Sequence, residues 1–456
     1  MEIVDMVKEC VIIGGGPAGI EAAREAVKLG LDVSLVSAGE IGGRAGWHSL
    51  LPSKVWLAAA ETAQELAAAT GGEAASQEPP DIIERIARVK ADWNNQARQE
   101  LEDAGVQIVY GMASFVSAEE VQVRDGEGNI AAAFSGKPVI VATGSAPFFP
   151  PGMKPDGRRV IAPRLLSKLS KLPATMLVIG AGATGCEAAY LFNALGVQVN
   201  WIVDQFGILP LFPEQAGRAL GEALSRQGVT IEAGQMVETL ERDEDRVTAV
   251  LMDGRRVEAE MAFVAVGRRP DRTALNLAAA GLEAEGGGIR VDEYGRTANP
   301  LVYFAGDVGG GIMTANKAQA QGRIAARSIV GADVDPFTAK TLIQPVYTLP
   351  QVAQVGDMAG GEDGAVTRVR FAQTLKSFLL PEGEGFLDLA YCSSDGRVLG
   401  AVAVGPHAAD ILSPVALAIR LGGRVDDMAA IFAGYPGLSE LGFIAARGAL
   451  PQKREN

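Results

Sequence analysis

Apolar runs that end in glycine occur twice along the chain, and each is followed by a helical pattern. Residues 10–13 (CVII) form a short uninterrupted apolar run, which is typical of a buried parallel strand. A helix from Gly19 to Leu29 and a second strand from Asp32 to Val36 complete a β-α-β unit. The same layout recurs at 176–203 with MLVIG, EAAYLFNALG and VQVNWIV. We therefore expect two separate nucleotide-binding folds.

The pattern changes between and after these units. Pro52 is expected to begin a long helix to about Thr70, because proline suits the first helical position, and 71–80 is expected to be a loop. Short β-like runs between 106 and 141 predict a small antiparallel sheet. The C-terminal region has strands followed by helices, as in an α+β domain. A further helix carries a stripe interpreted as core-facing: Ile82, Ile86, Val89, Trp93 and Leu101.

Both apolar strands run into the pattern G-x-G-x-x-G. The glycines are Gly14, Gly16 and Gly19 in the first copy and Gly180, Gly182 and Gly185 in the second. In a dinucleotide site the first glycine allows a tight turn, the second admits a pyrophosphate, and the third lets helix and strand pack closely. The helix N-terminus then offers free N–H groups to the phosphates. One copy is a weak signal, but two copies between strand and helix predict two dinucleotide sites.

The two predicted dinucleotide sites differ in the residue at the end of the second strand, where a ribose is expected to bind. Asp204 follows the second copy's strand, and a carboxylate there accepts hydrogen bonds from a ribose and repels a 2′-phosphate, which favours NADH over NADPH. The choice stays open, because Arg218 or Arg226 could fold toward it. The equivalent residue at the first site is Ser37, a weaker ribose partner, and Glu40 could substitute from the following loop.

Composition narrows the class of protein. A chain of 456 residues predicts about three domains, and a net charge of −14 argues against nucleic acid and anionic membrane surfaces as partners. We expect no signal peptide and no stable membrane insertion, because no run of about 18 apolar residues is present. Three scattered cysteines suit a reducing cytoplasm, and two histidines exclude a histidine metal cluster.

Five further boxes resemble segments of the pyridine nucleotide-disulfide oxidoreductase family, which includes dihydrolipoamide dehydrogenase and glutathione reductase. They occur in the family's order and, with the glycine loops, extend over nearly the whole chain. The boxes are Ala142–Ser145 (ATGS), Val266–Pro270 (VGRRP), Tyr303–Asp307 (YFAGD), Val346–Thr348 (VYT) and Gly405–Ala408 (GPHA).

The resemblance implies an α/β fold with two Rossmann-like dinucleotide-binding domains, for FAD and NAD(P), plus a C-terminal α+β dimerisation domain that forms a homodimer. An FAD domain at 1–150 and 273–337 would be interrupted by an NAD(P) domain at 151–272 and followed by the dimerisation domain at 338–456. The implied cofactors are FAD and NAD(P)H. Beyond the glycine loops, Ser37 and Asp204, the residues implied to contact them are Gly43, Arg44, Thr143, Gly144, Gly267, Gly306 and Asp307, the last binding the ribityl chain.

The resemblance also assigns the catalytic positions around the flavin. Lys54 and Glu187 match a pair beside flavin N5, where a cation stabilises the negative charge of a reduced flavin and a carboxylate keeps that cation charged and placed. The family's two cysteines precede Pro-Ser-Lys, and Ala45 and Leu50 stand there instead. Arg44 stands where the family has a threonine near the FAD phosphates. Its positive charge either strengthens that contact or plays no part in it.

Other departures fall near the acceptor side. The histidine that serves a dithiol is replaced by Tyr435, a poor base at neutral pH that can still donate a proton, while its orienting partner Glu440 is retained. Ala183 replaces an aromatic that often gates the nicotinamide pocket. In the altered loop, His48 either donates a proton to a bound acceptor or faces solvent, and Trp47 either stacks on a flat acceptor or fills space.

Together these features predict an FAD-dependent NAD(P)H:acceptor oxidoreductase that passes electrons directly to a quinone, another small molecule or a protein carrier, without a disulfide. The alternative is a redox sensor or scaffold that binds FAD and NAD without catalysis. The Lys54–Glu187 pair speaks against the alternative, because a binding module needs no charge stabilisation at N5.

Overall fold

The computed structural model describes residues 8–70, 78–283, 288–380 and 383–450. The chain divides into two units. The first contains Met1–Lys54, Ile83–Phe148 and Arg268–Thr338, and the second contains Val55–Ile82, Phe149–Gly267 and Ala339–Asn456.

Short strands and helices alternate along the chain. The strands are β1 (Glu9–Ile13), β2 (Asp32–Ser37), β3 (Gln107–Tyr110), β4 (Met112–Phe115), β5 (Glu120–Arg124), β6 (Ile130–Ser135), β7 (Val139–Val141), β8 (Ser145–Pro147), β9 (Val160–Ile161), β10 (Thr175–Ile179), β11 (Gln198–Val203), β12 (Thr230–Ala233), β13 (Val237–Arg242), β14 (Val247–Leu251), β15 (Arg256–Ala259), β16 (Met261–Val264), β17 (Arg268–Pro270), β18 (Val302–Phe304), β19 (Gln344–Val346), β20 (Val352–Gly356), β21 (Gly364–Arg370), β22 (Phe386–Cys392) and β23 (Val398–Val404). The helices are α1 (Pro17–Lys28), α2 (Gly43–Trp47), α3 (Leu50–Thr70), α4 (Pro79–Asp103), α5 (Ala183–Ala194), α6 (Glu214–Arg226), α7 (Ala315–Ile329), α8 (Leu375–Phe378), α9 (Ala408–Ile411), α10 (Ser413–Leu421), α11 (Val425–Ala429) and α12 (Glu440–Ala449).

A parallel sheet in the order β18-β7-β1-β2-β3 forms the centre of the first unit. The predicted β-α-β unit is confirmed, because β1, α1 and β2 lie where the apolar pattern placed them. On one face of the sheet α1 packs closely against α7, and a methyl group on Gly322 of α7 would lie 2.2 Å from the carbonyl oxygen of Ala18. The small antiparallel sheet predicted between 106 and 141 is confirmed for 112–135 as β4-β5-β6, whose Val121 and Val123 are buried in the core on the other face. At the two ends of the predicted range, β3 and β7 belong to the parallel sheet instead.

The second unit repeats the parallel arrangement and adds an antiparallel one. Its parallel sheet has the order β12-β11-β10-β16-β9, and β13-β14-β15 forms a separate antiparallel sheet. The C-terminal region contains the antiparallel sheet β19-β20-β23-β22-β21, and α10, α11 and α12 contribute to the same apolar core. The predicted α+β region is therefore confirmed.

The two parallel sheets share the arrangement of the strands around each glycine loop. The strand before the loop, β1 or β10, lies between the next strand of its β-α-β unit, β2 or β11, and a strand from later in the chain, β7 or β16. The crevice at the carboxyl end of such a strand is where open α/β sheets bind ligands. Gly14 and Gly180 are the first residues after β1 and β10, so both loops lie at this crevice.

Two local predictions were wrong. Helix α3 begins at Leu50, so Pro52 is its third residue; proline is still tolerated there, because first-turn N–H groups lack an intrahelical acceptor. In α4, Trp93 is 60% exposed, and the buried stripe continues through Asn94 and Ala97 instead. The polar Asn94 interrupts the apolar pattern, which made Trp93 look like the core position. Within the loop predicted at 71–80, residues 71–77 lie outside the described residues, and Pro79 already belongs to α4.

No helix in the described ranges is long and apolar enough to cross a membrane. Nor do the described side chains include a group of three or more His, Cys, Asp or Glu that could hold a metal ion.

Candidate functional site

The first glycine loop has the geometry that a dinucleotide requires. Gly14 has φ +119°, and a methyl group on it would lie 2.3 Å from the carbonyl oxygen of Ala142. A methyl group on Gly19 would lie 1.8 Å from the Gly14 oxygen, whereas one on Gly16 would meet no described atom within 4 Å. The first and third glycines are thus needed by the chain itself, and the second leaves open space in front of the first turn of α1. That space suits a phosphate approaching the helix N-terminus.

The second loop repeats this geometry. Gly180 has φ +104°, and its methyl group would lie 2.4 Å from the Ala265 oxygen. A methyl group on Gly185 would lie 1.9 Å from the Gly180 oxygen, and one on Gly182 would again meet no described atom within 4 Å. Gly182 immediately precedes α5, and Ala183 at the first helical position is exposed.

The residues expected at the ribose positions are held differently at the two sites. Ser37 is buried, and its hydroxyl donates to the Gly39 carbonyl at 2.7 Å. Its hydrogen is therefore occupied, while its oxygen can accept a bond from a ribose hydroxyl. Asp204 follows β11 directly, and its Oδ1 accepts the Phe206 N–H at 2.9 Å, which fixes the carboxylate beside the second loop's strand. Glu40 is exposed.

The altered loop is held against the first glycine loop and α4. The Gly42 N–H donates to the Gly15 carbonyl at 2.8 Å. Trp47 Nε1 donates to the Ile41 carbonyl at 2.7 Å, and the Lys90 ammonium lies 5.1 Å from the centre of a Trp47 ring. These contacts favour the space-filling interpretation of Trp47 over an acceptor platform.

Glycine is required in this loop because Asn94 lies directly behind it. Methyl groups on Gly42 and Gly46 would lie 1.8 Å and 2.4 Å from Asn94 Oδ1, and one on Gly43 would lie 2.8 Å from the Gly16 Cα. Gly42 and Gly43 also have positive φ, at +107° and +56°. The loop backbone therefore packs directly against the Asn94 side chain and against Gly16. The sequence analysis gave Asn94 no role, since a lone helical asparagine carries no motif.

The two positions at which the resemblance implies a cysteine pair differ in their exposure to solvent. Ala45 lies within α2 and is half-buried, whereas Leu50 begins α3 and is 43% exposed. His48 ends α2 with its N–H bonded to the Arg44 carbonyl, and the residue is exposed.

A polar network missed by the sequence analysis joins residues of the first unit that stand in or beside three of the sequence boxes. Arg44 donates to the Ser145 carbonyl and to the Asp271 carboxylate, each at 2.5 Å. Arg268 donates to the Ser145 hydroxyl at 2.8 Å, and that hydroxyl donates to Asp307 Oδ2 at 2.5 Å. The sequence analysis had named Arg44 and Asp307 as cofactor contacts, and Ser145 and Arg268 only as members of the ATGS and VGRRP boxes.

Burial and the charges of neighbouring groups shift the pKa values of Arg268 and Asp271 in this network. Burial lowers the pKa of Arg268, Asp307 opposes that shift, and Arg44 adds to it. Burial acts to raise the pKa of Asp271, but hydrogen bonds and attraction from Arg44 outweigh it, so the pKa of Asp271 lies below its usual value. The carboxylate of Asp271 is thus held ionised beside a guanidinium.

Strands β8 and β17 pair antiparallel, and the ATGS box, which ends at the first residue of β8, is bonded to Asp271, the residue after β17. Thr143 Oγ1 donates to the Asp271 carbonyl at 2.7 Å, and the Asp271 N–H donates to the Gly144 carbonyl at 2.9 Å. Gly144, Gly267 and Gly306 all have positive φ, at +76°, +124° and +81°, which glycine adopts without strain.

The residues assigned to flavin N5 lie in separate units. Lys54 is the fifth residue of α3 and is half-buried. Glu187 is the fifth residue of α5, and its carboxylate accepts the Tyr347 N–H at 3.1 Å. Burial raises the pKa of the Tyr347 hydroxyl, and the negative charges of Glu187 and Asp410 raise it further.

The C-terminal motif lies at the start of α12. Tyr435 is 72% exposed, and Glu440, the first residue of α12, accepts the Gly437 N–H at 3.1 Å. Glu440 thus stabilises the turn that carries the motif into the helix.

A family model described as pyridine nucleotide-disulphide oxidoreductase matches residues 8–322, and that family's dimerisation domain matches residues 343–442. The chain belongs to the pyridine nucleotide-disulphide oxidoreductase family. A dihydrolipoyl dehydrogenase from Chlorobaculum parvum is 31% identical, covering 98% of this chain and 97% of the relative. An NAD(P)H dehydrogenase (quinone) from Mycobacterium tuberculosis is 29% identical, covering 95% of this chain and 92% of the relative.

Solved structures agree with this assignment. The crystal structure of LpdA from Mycobacterium tuberculosis has a TM-score of 0.92 at 29% identity and covers 98% of this chain, which spans 100% of that structure. The predicted fold class is therefore confirmed: an α/β oxidoreductase fold with FAD- and NAD-binding parts and a C-terminal dimerisation domain. FAD and NAD(P)H are confirmed as cofactors of this family of pyridine nucleotide oxidoreductases.

The structure fits these cofactors. Each glycine loop leaves open space in front of a helix N-terminus, where a pyrophosphate would bind, and Ser37 or Asp204 stands beside it for a ribose. Gly43, Arg44, Thr143, Gly144, Gly306 and Asp307 lie in the first unit with the FAD loop, as the resemblance implied. Gly267 ends the segment Phe149–Gly267 of the second unit, which carries the second loop.

Proposed function

We propose that this flavoprotein oxidises NADH and passes the electrons to a non-disulfide acceptor. The observation that carries the proposal is the sequence of the altered loop, where Ala45 and Leu50 replace the two thiols. Support comes from the remaining cysteines: Cys10, Cys186 and Cys392 are each buried and free. Burial raises the pKa of Cys10 to about 12 and lifts the pKa of Cys186 well above its usual value, so neither forms a ready thiolate.

A quinone is the acceptor class we favour. The relative from Mycobacterium tuberculosis that is named NAD(P)H dehydrogenase (quinone) aligns along nearly the whole chain, although more relatives are named dihydrolipoyl dehydrogenase. Reduction of a quinone to a quinol balances as NADH plus one proton plus quinone giving NAD⁺ plus quinol. One proton per turnover must therefore come from solvent, and no thiol is consumed.

The residues take the following roles in this proposal. The first glycine loop and Asp307 would hold FAD, which would supply the redox chemistry that couples nicotinamide oxidation to reduction of the acceptor. Lys54 provides positive charge at flavin N5, and Glu187 keeps that charge in place. His48 and Tyr435 are exposed proton donors for the acceptor, with Glu440 supporting the loop of Tyr435. A Lys54→Ala variant that accepts hydride at the wild-type rate would contradict the role of Lys54.

We also propose the homodimer, the cytoplasmic location and the domain order given above: FAD domain at 1–150 and 273–337, NAD(P) domain at 151–272 and dimerisation domain at 338–456. The dimerisation domain itself matches at 343–442, which supports the dimer.

Anaerobic rapid mixing tests the proposed function. NADH should bleach the flavin absorbance, a soluble naphthoquinone should restore it, and lipoamide should not. A thiol reagent should count the same number of reactive thiols before and after NADH, whereas a disulfide reductase gains two. Two new thiols would overturn the proposal, and flavin that stays oxidised with both NADH and NADPH would favour the sensor or scaffold.

A further inference from the structure

Two guanidinium groups converge on one buried serine of the first unit. Ser145 is 2% exposed, and its carbonyl oxygen accepts bonds from Arg44 at 2.5 Å and from Arg268 at 2.9 Å. Its hydroxyl accepts from Arg268 and donates to Asp307. The second arm of Arg44 binds Asp271. Two cations and two carboxylates thus surround Ser145, and their charges cancel.

We propose that Arg44 is a positioning residue, which fastens the altered loop to the strand pair β8–β17 and so fixes Asp307 toward the FAD ribityl chain. The proposal depends on the assignment of Asp307 to FAD and not on the identity of the acceptor. Ser145 connects Arg44 to Asp307. Its backbone carbonyl accepts a hydrogen bond from Arg44, and its hydroxyl donates one to Asp307.

The geometry distinguishes this role from a contact between Arg44 and the FAD phosphates. One N–H of each terminal nitrogen of Arg44 binds a protein acceptor, Nη1 the Ser145 carbonyl and Nη2 the Asp271 carboxylate, so these two acceptors orient the guanidinium plane. A planar fork that binds two acceptors at once is specific to arginine, because lysine offers one compact charge. An exposed ion pair alone contributes little, but the bond to the Ser145 carbonyl reaches a buried acceptor.

The loop needs such a fastening because its own backbone is permissive. Gly42, Gly43 and Gly46 surround Arg44 and Ala45, and glycine loses more conformational freedom on ordering than any other residue. In a disulfide-bearing relative, a covalent bond would join the positions of Ala45 and Leu50. Here Arg44 supplies a noncovalent link from the residue next to Ala45.

Release of FAD from the purified holoenzyme tests the proposal. The variants are Arg44→Met, Arg44→Lys, Asp271→Asn and the double variant Arg44→Met/Asp271→Asn. Arg24→Met is the matched control, because Arg24 forms an ion pair with Glu100 in the same unit, outside the network. The readouts are the rate at which flavin fluorescence appears on dilution and the visible circular dichroism of bound flavin, which reports its orientation.

We expect Arg44→Met and Asp271→Asn each to speed FAD release about fivefold and to alter the flavin dichroism, and the double variant to add little, since the two groups form one link. Arg44→Lys should fail to restore slow release, and Arg24→Met should match wild type. If Arg44→Lys behaves as wild type while Asp271→Asn has no effect, Arg44 is a phosphate contact and the proposal is wrong. Unchanged release in all variants, or strictly additive effects, would also overturn it. None of these readouts uses an acceptor, so they stand apart from the proposed activity.

Discussion

Among single residues, Asp204 gives the clearest test of cofactor choice. Its Oδ1 caps the Phe206 N–H, so Asp204→Asn keeps an acceptor for this bond and removes only the charge. Without the negative charge, a 2′-phosphate is no longer repelled. We expect wild type to prefer NADH and Asp204→Asn to shift the ratio of kcat/KM for NADPH over NADH upward by about tenfold, or ~1.4 kcal/mol.

Steady-state kinetics with both nucleotides and one fixed acceptor measure this ratio. Glu40→Gln, an exposed acid in the first unit, is the control and should leave the ratio unchanged. A wild-type enzyme that prefers NADPH would show that the exposed Arg218 or Arg226 dominates the site instead.

Motif position predicts residues better than it predicts contacts. The glycines and Asp204 were predicted from their offsets after a strand, and Asp307 was predicted from the resemblance of YFAGD to an FAD box. The partners of Arg44 were not, because Ser145 lies 101 residues away and Asp271 lies 227 residues away. Only the tertiary fold decides whether a long, flexible side chain turns toward a phosphate or toward a protein carbonyl.

At the level of elements, the second glycine loop separates a folding requirement from a binding requirement. Gly182 has φ −72°, which alanine tolerates, and a methyl group there meets no described atom within 4 Å. At Gly185 the methyl group would lie 1.9 Å from the Gly180 oxygen. Gly182→Ala should therefore change the free energy of unfolding by less than about 0.5 kcal/mol, and Gly185→Ala should lower it by about 2 kcal/mol or more.

Gly182→Ala, the substitution that we expect to leave stability almost unchanged, should be the one that weakens nucleotide binding. Gly182→Ala should weaken NADH binding about tenfold, because its methyl group occupies the space left for the pyrophosphate. Urea unfolding and NADH titration of the same samples give the two quantities. Equal destabilisation by both substitutions, or unchanged NADH affinity in Gly182→Ala, would contradict this division of roles.

Strands and helices were predicted correctly where apolar residues alone formed the buried positions of the element. The parallel strands were recognised because their apolar runs are uninterrupted, as in β1 and β10. The prediction failed in α4, where the buried face includes the polar Asn94 and an apolar Trp93 lies outside it. The helix start at Leu50 was missed because proline is accepted anywhere in the first turn.

At the scale of the whole molecule, the order of the boxes along the chain predicted the fold class through the family resemblance. The first unit is assembled from three separated segments, and the FAD-related boxes fall into all of them. Such discontinuity cannot be read from local periodicity. The resemblance predicted one interruption of the FAD domain, by residues 151–272, and did not predict that Val55–Ile82 belongs to the second unit.

The assembly of two chains is the property left for a whole-molecule prediction. The dimerisation domain, at 343–442, exposes large apolar side chains, and exposed apolar patches mark interaction surfaces. These side chains include Leu417, Leu421, Ile431 and Phe432. Phe432 is 93% exposed. We expect the wild-type protein to sediment as a dimer and Phe432→Glu to weaken the dimer by about 2 kcal/mol or more, roughly 30-fold in Kd. The physical reason is that a carboxylate would be desolvated where an aromatic ring was buried.

Sedimentation velocity over a dilution series measures this dissociation. Met252→Glu is the matched control, since Met252 is 68% exposed but lies outside the dimerisation domain, so its charge should leave the dimer intact. A wild-type monomer at all concentrations would refute the dimer, and a Phe432→Glu protein that sediments as wild type would exclude Phe432 from the interface. FAD release and sedimentation can be followed on the same samples. The Phe432→Glu variant therefore also shows whether dimerisation slows the release of FAD. Release that stays slow in the dissociated Phe432→Glu protein would mean that one chain holds FAD by itself.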